Sequence, residues 1–174
     1  MAKKKKGTSK TMPMRAFDEK GIPYEIRQQS GKEYTAEGVA EDLGVPVAQV
    51  VKAMLIQRSA SSGQGRSAFV LIVIPGDRRL SLKKVGIVLD DKKVQMASQR
   101  DVQRVTGYQV GAVSVLGFRR KDIPSYVDQH VLELDQVIIS SGRPDVGLGL
   151  LPQNMVQAME SAKIDDLCED QGYE

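Results

Sequence analysis

Every residue from Ala68 to Ile74 is apolar, the longest such run in the chain, and Pro75-Gly76 closes it. A run of this kind predicts a central strand covered on both faces. Val51 to Arg58 predicts a neighbouring strand in which Lys52, Met54 and Ile56 share one face and Val51, Ala53 and Leu55 the other. Further strands are expected from Ile22 to Gln28, Val94 to Ala97, Val137 to Ser141 and Val146 to Leu151. Helices are expected where caps and stops frame an apolar stripe. Met12 to Lys20 carries Pro13 in its first turn and stops at Gly21; Thr35 caps a helix through Leu43, stopped by Gly44. Pro46 to Val50 begins another short turn, Ser81 caps Leu82 to Leu89, and Ser98-Gln99-Arg100-Asp101 opens a helix to Thr106. Pro152 starts a last helix, Gln153 to Ala162. Ser59 to Ser67 is a flexible loop by composition, and Tyr108 to Phe118 is punctuated by glycine and otherwise β-prone. Several strand-to-strand steps are too short for parallel crossovers, so the expectation is an α+β fold with a mixed, partly closed β-barrel flanked by helices.

A length of 174 residues with 41% hydrophobic content suits one domain. The charge balance of +3 hides a polarity: residues 1–20 carry seven bases and two acids, whereas 158–174 carry one base and six acids. Residues 1–11 therefore read as a basic tail, 12–163 as the domain and 164–174 as an acidic tail. The run Lys3 to Lys6 reads as a solvated end, with a phosphate-contacting arm as its alternative. It has no apolar segment behind it, as a signal peptide requires, and no stretch approaches the roughly 20 apolar residues of a membrane span, so a cytoplasmic protein is expected. Cys168 and His130 are the only cysteine and the only histidine. A disulfide within the chain and a multi-cysteine metal site are thereby excluded, no metal or cofactor is expected, and a nucleophile–histidine triad would depend on His130 alone.

Three places carry candidate chemistry. Lys52 sits at the mouth of a strand with two apolar faces, where its ammonium either reaches back to water or is held in a pocket against a ligand. The segment Thr106 to Gly117 contains Gly107, Gly111 and Gly117, which let the backbone approach a ligand and aim amide N–H groups at an oxyanion; alone, it would read as turns and a bulge. Ser140 to Gly149 has similar character, with Asp145 suited to a tight strand connection.

Taken in order, Val51-Lys52-Ala53-Met54-Leu55-Ile56, Leu80-Ser81-Leu82-Lys83-Lys84-Val85, Lys93-Val94-Gln95-Met96-Ala97, Thr106-Gly107-Tyr108-Gln109-Val110-Gly111 through Gly117, and Ile139-Ser140-Ser141-Gly142-Arg143 with Leu150 and Pro152 behind them resemble the YbaK/prolyl-tRNA-synthetase-associated family of tRNA editing proteins. The resemblance covers roughly residues 14 to 160. It implies a six- or seven-stranded mixed barrel and a trans-editing deacylase that hydrolyses the ester of a mischarged tRNA, Cys-tRNA(Pro) first. It implies tRNA as partner, and prolyl-tRNA synthetase beside it, with no role for DNA or a membrane. The family's substrate-contacting lysine falls at Lys52, and its pocket-bordering loop at Gly111 to Gly117, so that Gly111 and Ala112 would face the ester and Ser114, Val115 and Gly117 the acyl group. Gly142 and Asp145 belong to the second glycine segment, and the pocket position of the first strand falls near Tyr24, with cross-strand packing as its alternative. Two departures stand out: Val115 replaces a common proline, and Gly147 and Gly149 stand where several relatives carry acids. They favour the rival reading, a non-catalytic tRNA-binding or regulatory module on the same fold.

Overall fold

The computed structural model describes residues 9–60 and 67–171. The basic run Lys3 to Lys6 and most of the loop expected from Ser59 to Ser67 lie outside the described residues. Five α-helices form among the described residues: α1 Met12–Glu19, α2 Ala36–Leu43, α3 Leu82–Leu89, α4 Gln99–Thr106 and α5 Pro152–Ala158. Their ends follow local chemistry. Thr35, Ser81 and Ser98 each accept a backbone N–H of the first turn, from Gly38, Lys84 and Asp101, and each such cap contributes about 1 kcal/mol. Gly44 and Gly107 terminate α2 and α4 in the left-handed region that glycine adopts without strain.

The strands are β1 Glu25–Gln28, β2 Lys52–Gln57, β3 Phe69–Ile74, β4 Gln95–Met96, β5 Ser125–Asp128, β6 Val137–Arg143, β7 Val146–Leu150 and β8 Lys163–Asp165. They make two sheets, β1-β7-β6 and β4-β2-β3-β5-β8. All six residues of β3 are buried, as the unbroken apolar run predicts, because β2 flanks it antiparallel and β5 parallel. The α+β class therefore holds, but a closed barrel does not form among the described residues. The two sheets touch through one isolated parallel bridge between Val50 and Ile138, and a ladder that would shut the cylinder is missing.

Two apolar layers hold this arrangement. Leu71 and Val73 of β3, Val127 of β5, Ile139 of β6 and Leu148 of β7 pack between the sheets with Met14 and Phe17 of α1 and Met155 of α5. On the far face of the five-stranded sheet, Ile56, Val70, Ile72 and Ile74 pack under Val85 and Leu89 of α3. Leu167 and Cys168 join this second layer, although 164–174 reads as a tail; the sequence hides this because only two apolar residues interrupt the acids. Tyr108 to Phe118, read as β-prone, forms no strand: its glycines break the ladder into turns. No helix among the described residues is long and apolar enough to cross a membrane.

Candidate active site beside Lys52

A cavity of about 250 Å³ opens where the first residues of β2, the bulged end of β6, the segment before α2 and the loop 110–113 meet. Val39, Val50, Ala53, Ile138 and Val146 give it apolar walls, while Lys52, Ser140 and Arg143 supply polar groups. Sites for drug-sized ligands run from about 300 Å³ upward, so this one has the size for a small group such as an acyl group.

Lys52 is the first residue of β2, half-buried, and its Nζ donates to the Arg78 carbonyl at 2.6 Å. An ammonium has three N–H donors, and no other described residue engages the remaining two. The carbonyl that holds it stands at the end of a turn closed by the Arg78 N–H donating to Pro75. The C-terminal segment pins the residues that follow: Glu169 N–H donates to the Arg79 carbonyl at 2.8 Å, and Ser81 N–H to the Leu167 carbonyl at 2.9 Å. Leu80 bridges Cys168 between them.

Gly111 and Ala112 line the same cavity as Lys52. Gly111 has a φ of +86°, and a Cβ there would lie 3.4 Å from Tyr34 Cβ. Its N–H has no hydrogen-bond partner among the described residues, whereas the Ala112 N–H donates to the Gln109 carbonyl at 2.9 Å. Ser140 fastens this loop to β6. Its Oγ donates to the Ala112 carbonyl at 3.0 Å and accepts from Gly142 N–H at 3.1 Å, while its carbonyl accepts from Ser114 Oγ at 2.5 Å.

The remaining expected residues stand behind or beside the cavity. Ser114 and Val115 are buried beneath the loop, the first on Ser140 and the second in the layer between the sheets. Gly117 and Gly142, both at positive φ, make room for Tyr108: a Cβ at Gly117 would come within 2.8 Å of its hydroxyl, and one at Gly142 within 2.9 Å of its ring. The Tyr108 hydroxyl reaches the Leu116 and Gly117 carbonyls at 3.0 and 3.1 Å, and burial pushes its pKa up to about 12. Asp145 is off the cavity wall but forms a two-pronged pair with Arg143, which lines it; that hydrogen bonding holds the Asp145 carboxyl below its usual range. Tyr24 packs against Phe17, ring centroids 5.7 Å apart, and borders a second, open cavity with Gln49, Asp135 and Leu151. The pattern in the sequence did not single out Tyr34, Ser140 or Arg143 as lining residues. The one available signal for Tyr34 was an aromatic alone in a polar stretch before the Thr35 cap.

Away from the cavity, Asp128 is fully buried and accepts from the N–H groups of His130 and Leu167, with His130 Nδ1 at 2.8 Å. No three His, Cys, Asp or Glu side chains among the described residues stand together as a metal site would require.

Lys52 and the loop residues Gly111 and Ala112 thus line one cavity of a two-sheet α+β fold. The chain belongs to the aminoacyl-tRNA editing domain family, which matches residues 31–158. It is 30% identical over 152 residues to EbsC of Enterococcus faecalis, a candidate Cys-tRNA(Pro)/Cys-tRNA(Cys) deacylase, covering 86% of this chain and 88% of that one. A segment of 83 residues is 34% identical to proline–tRNA ligase of Thermosipho africanus, 48% of this chain but 14% of the ligase. Among solved structures, a candidate trans-editing enzyme for prolyl-tRNA synthetase superposes with a TM-score of 0.79 at 22% identity, over 91% of this chain and 96% of that one, a likeness of fold.

Proposed function

We propose that the chain is a trans-editing aminoacyl-tRNA deacylase that hydrolyses the ester linking a mistaken amino acid to tRNA, with Cys-tRNA(Pro) as its first substrate. The observation that carries this reading is the shared cavity: Lys52 and Gly111, whose N–H has no partner among the described residues, line the same space of about 250 Å³. Membership of the editing family and the likeness to EbsC support the reaction class and the choice of cysteine. The likeness to proline–tRNA ligases supports tRNA(Pro), met in the cytoplasm beside that ligase.

An aminoacyl ester is already activated, so the protein needs to place it and stabilise the charge that develops on its carbonyl oxygen. Lys52 holds the aminoacyl end or the adjoining phosphate with the two protons that Arg78 leaves unused. The Gly111 N–H faces the ester oxygen, a kind of donor whose removal costs about 10²–10³ in rate in well-studied hydrolases. Ala112 keeps that bend in shape, its N–H committed to Gln109 and its carbonyl to Ser140. Water adds to the ester carbonyl, directly or after the thiol of the substrate has displaced the ribose oxygen as a thiolactone, with a ribose hydroxyl beside it to accept a hydrogen bond; the acyl–oxygen bond breaks, the ribose oxygen takes up a proton, and the products are the free amino acid and uncharged tRNA. Apolar walls separate small side chains by only about 1–3 kcal/mol per methylene, so Ser114 and Val115 act behind the wall by setting its depth. Gly117 and Gly142 act by seating Tyr108, and Asp145 by aiming Arg143.

The test is release of amino acid from Cys-, Ala- and Ser-charged tRNA. The wild-type protein releases cysteine fastest, and Lys52→Ala slows release on the order of a hundredfold with an unchanged circular dichroism spectrum. A protein that retains tRNA and frees no amino acid would be a binding module instead.

A further inference from the structure

The cavity leaves a problem of size. An aminoacyl group and the nucleoside that carries it do not fit together in about 250 Å³, so with the aminoacyl group inside, the base next to the ester rests on the rim. Resting on the functional reading above, we propose that Tyr34 is the platform on which the 3′-terminal nucleobase of the RNA stacks.

Of the residues that line the cavity, Tyr34 is the single aromatic, and it is 61% exposed. A tyrosine gains by burying its ring, and this one makes no ring–ring contact with the other described aromatics. Its backbone neighbourhood is nonetheless built. Thr35, the next residue, caps α2 at 3.0 Å, and so fixes where the chain carrying Tyr34 enters the helix. Gly111 lies against the other side: a Cβ built on it would stand 3.4 Å from Tyr34 Cβ and 3.6 Å from Cδ1, in van der Waals contact with that side chain. The same glycine carries the N–H assigned above to the ester oxygen. The aromatic surface and the oxyanion donor are therefore neighbours, as the base and the ester of a 3′-terminal aminoacyl-nucleoside are neighbours. Val110, 52% exposed on the same rim, adds a second apolar surface. Aromatic residues make up 5% of the chain, and it has no tryptophan, so few side chains could offer a stacking face.

Stacking on an aromatic ring is indifferent to the identity of the base, which suits an enzyme acting on a 3′ end common to all tRNAs. Lys32 stands two residues before the ring and is exposed, a charge of the right sign for the backbone; Glu33 between them packs against Gly38 in the first turn of α2.

The experiment crosses two proteins with two RNAs. Wild type and Tyr34→Ala are titrated with a short RNA ending in -CCA and with the same RNA lacking its terminal base, and both proteins are assayed on Cys-tRNA(Pro). Stacking predicts that removing the base weakens wild-type binding about tenfold and leaves Tyr34→Ala unaffected. Tyr34→Ala should also raise KM for the charged tRNA about tenfold with kcat nearly kept, and Tyr34→Phe should restore it, since the ring alone is needed. If base removal weakens both proteins equally, or neither, the platform does not exist. If wild type binds the -CCA end in a Tyr34-dependent way but releases no amino acid, the platform stands and the deacylase reading falls.

Discussion

Ser140 Oγ donates to the Ala112 carbonyl at 3.0 Å, joining the last regular turn of β6 to the loop that carries the proposed oxyanion donor. The hydroxyl also accepts the Gly142 N–H, so one side chain sets the spacing between strand and loop. Ser140→Ala removes both bonds and frees the loop. The expected outcome is a loss of about 1–2 kcal/mol in stability, read by urea unfolding. Release of cysteine should fall further than that loss explains, through kcat, because the Gly111 amide loses its fixed position.

Lys52 depends on a support that contains no reactive group. Its ammonium rests on the Arg78 carbonyl, and the Glu169 N–H and Leu167 carbonyl hold the following residues. Glu169→Pro deletes one of these donors, whereas Glu169→Ala keeps it. The proline variant should lose about tenfold in kcat while the alanine variant behaves as wild type; equal activities in the two would show that the clamp does not act on the site.

The two glycines around Tyr108 give a stability prediction. Gly142→Ala places a Cβ 2.9 Å from the ring in a backbone conformation of φ +89°. A cost of about 1–3 kcal/mol is expected from thermal unfolding. Tyr108→Ala in the same chain should recover part of it, because the clash is with that ring.

Acid should loosen the C-terminal segment. Burial pushes the Asp128 carboxyl up, but the N–H groups of Leu167 and His130, the imidazole and the Cys168 thiol outweigh it, and the group ends below its ordinary value. A depressed carboxyl contributes stability above its unfolded pKa of about 4, lost as the pH falls through the folded value. Unfolding midpoints should therefore drop below about pH 4, and Asp128→Asn should flatten that drop.

The thiol beside it behaves oppositely. Burial pushes Cys168 from 9.0 up to about 12, so between those values the unfolded chain ionises and the folded one does not, and stability falls as pH rises. At pH 8 the native protein should leave Ellman's reagent unreacted, and the same chain in guanidinium should react fully.

The elements that declared themselves in the sequence are those whose signals are local. Thr35 with Gly44, Ser81, and Ser98 with Gly107 mark helix ends by their own chemistry, and the closed apolar run announced β3. β5 and β8 gave no such sign. Each is three or four residues long and lies parallel to a strand distant in the chain, so neither alternation nor a hairpin turn betrays it. The same division holds at the site. Lys52 was conspicuous because a charge at the mouth of an apolar strand asks for a reason. The Arg78 carbonyl that receives it was invisible, since every residue has a carbonyl and only folding selects one. Gly117 and Gly142 were legible as glycines with a purpose, but that purpose, clearance for Tyr108, required knowing which ring lay opposite.

Leu167 and Cys168 close against Ser81 and Leu80 across about half the length of the chain. During synthesis the loop under Lys52 therefore stays unbraced until the segment carrying these residues has left the ribosome. A nascent chain stalled short of residue 167 would already own its lysine, its glycine bend and its aromatic rim, yet would have no fixed place to hold the ammonium. Cleavage before Leu167 would unfasten the support beneath the ammonium without removing any residue that lines the cavity.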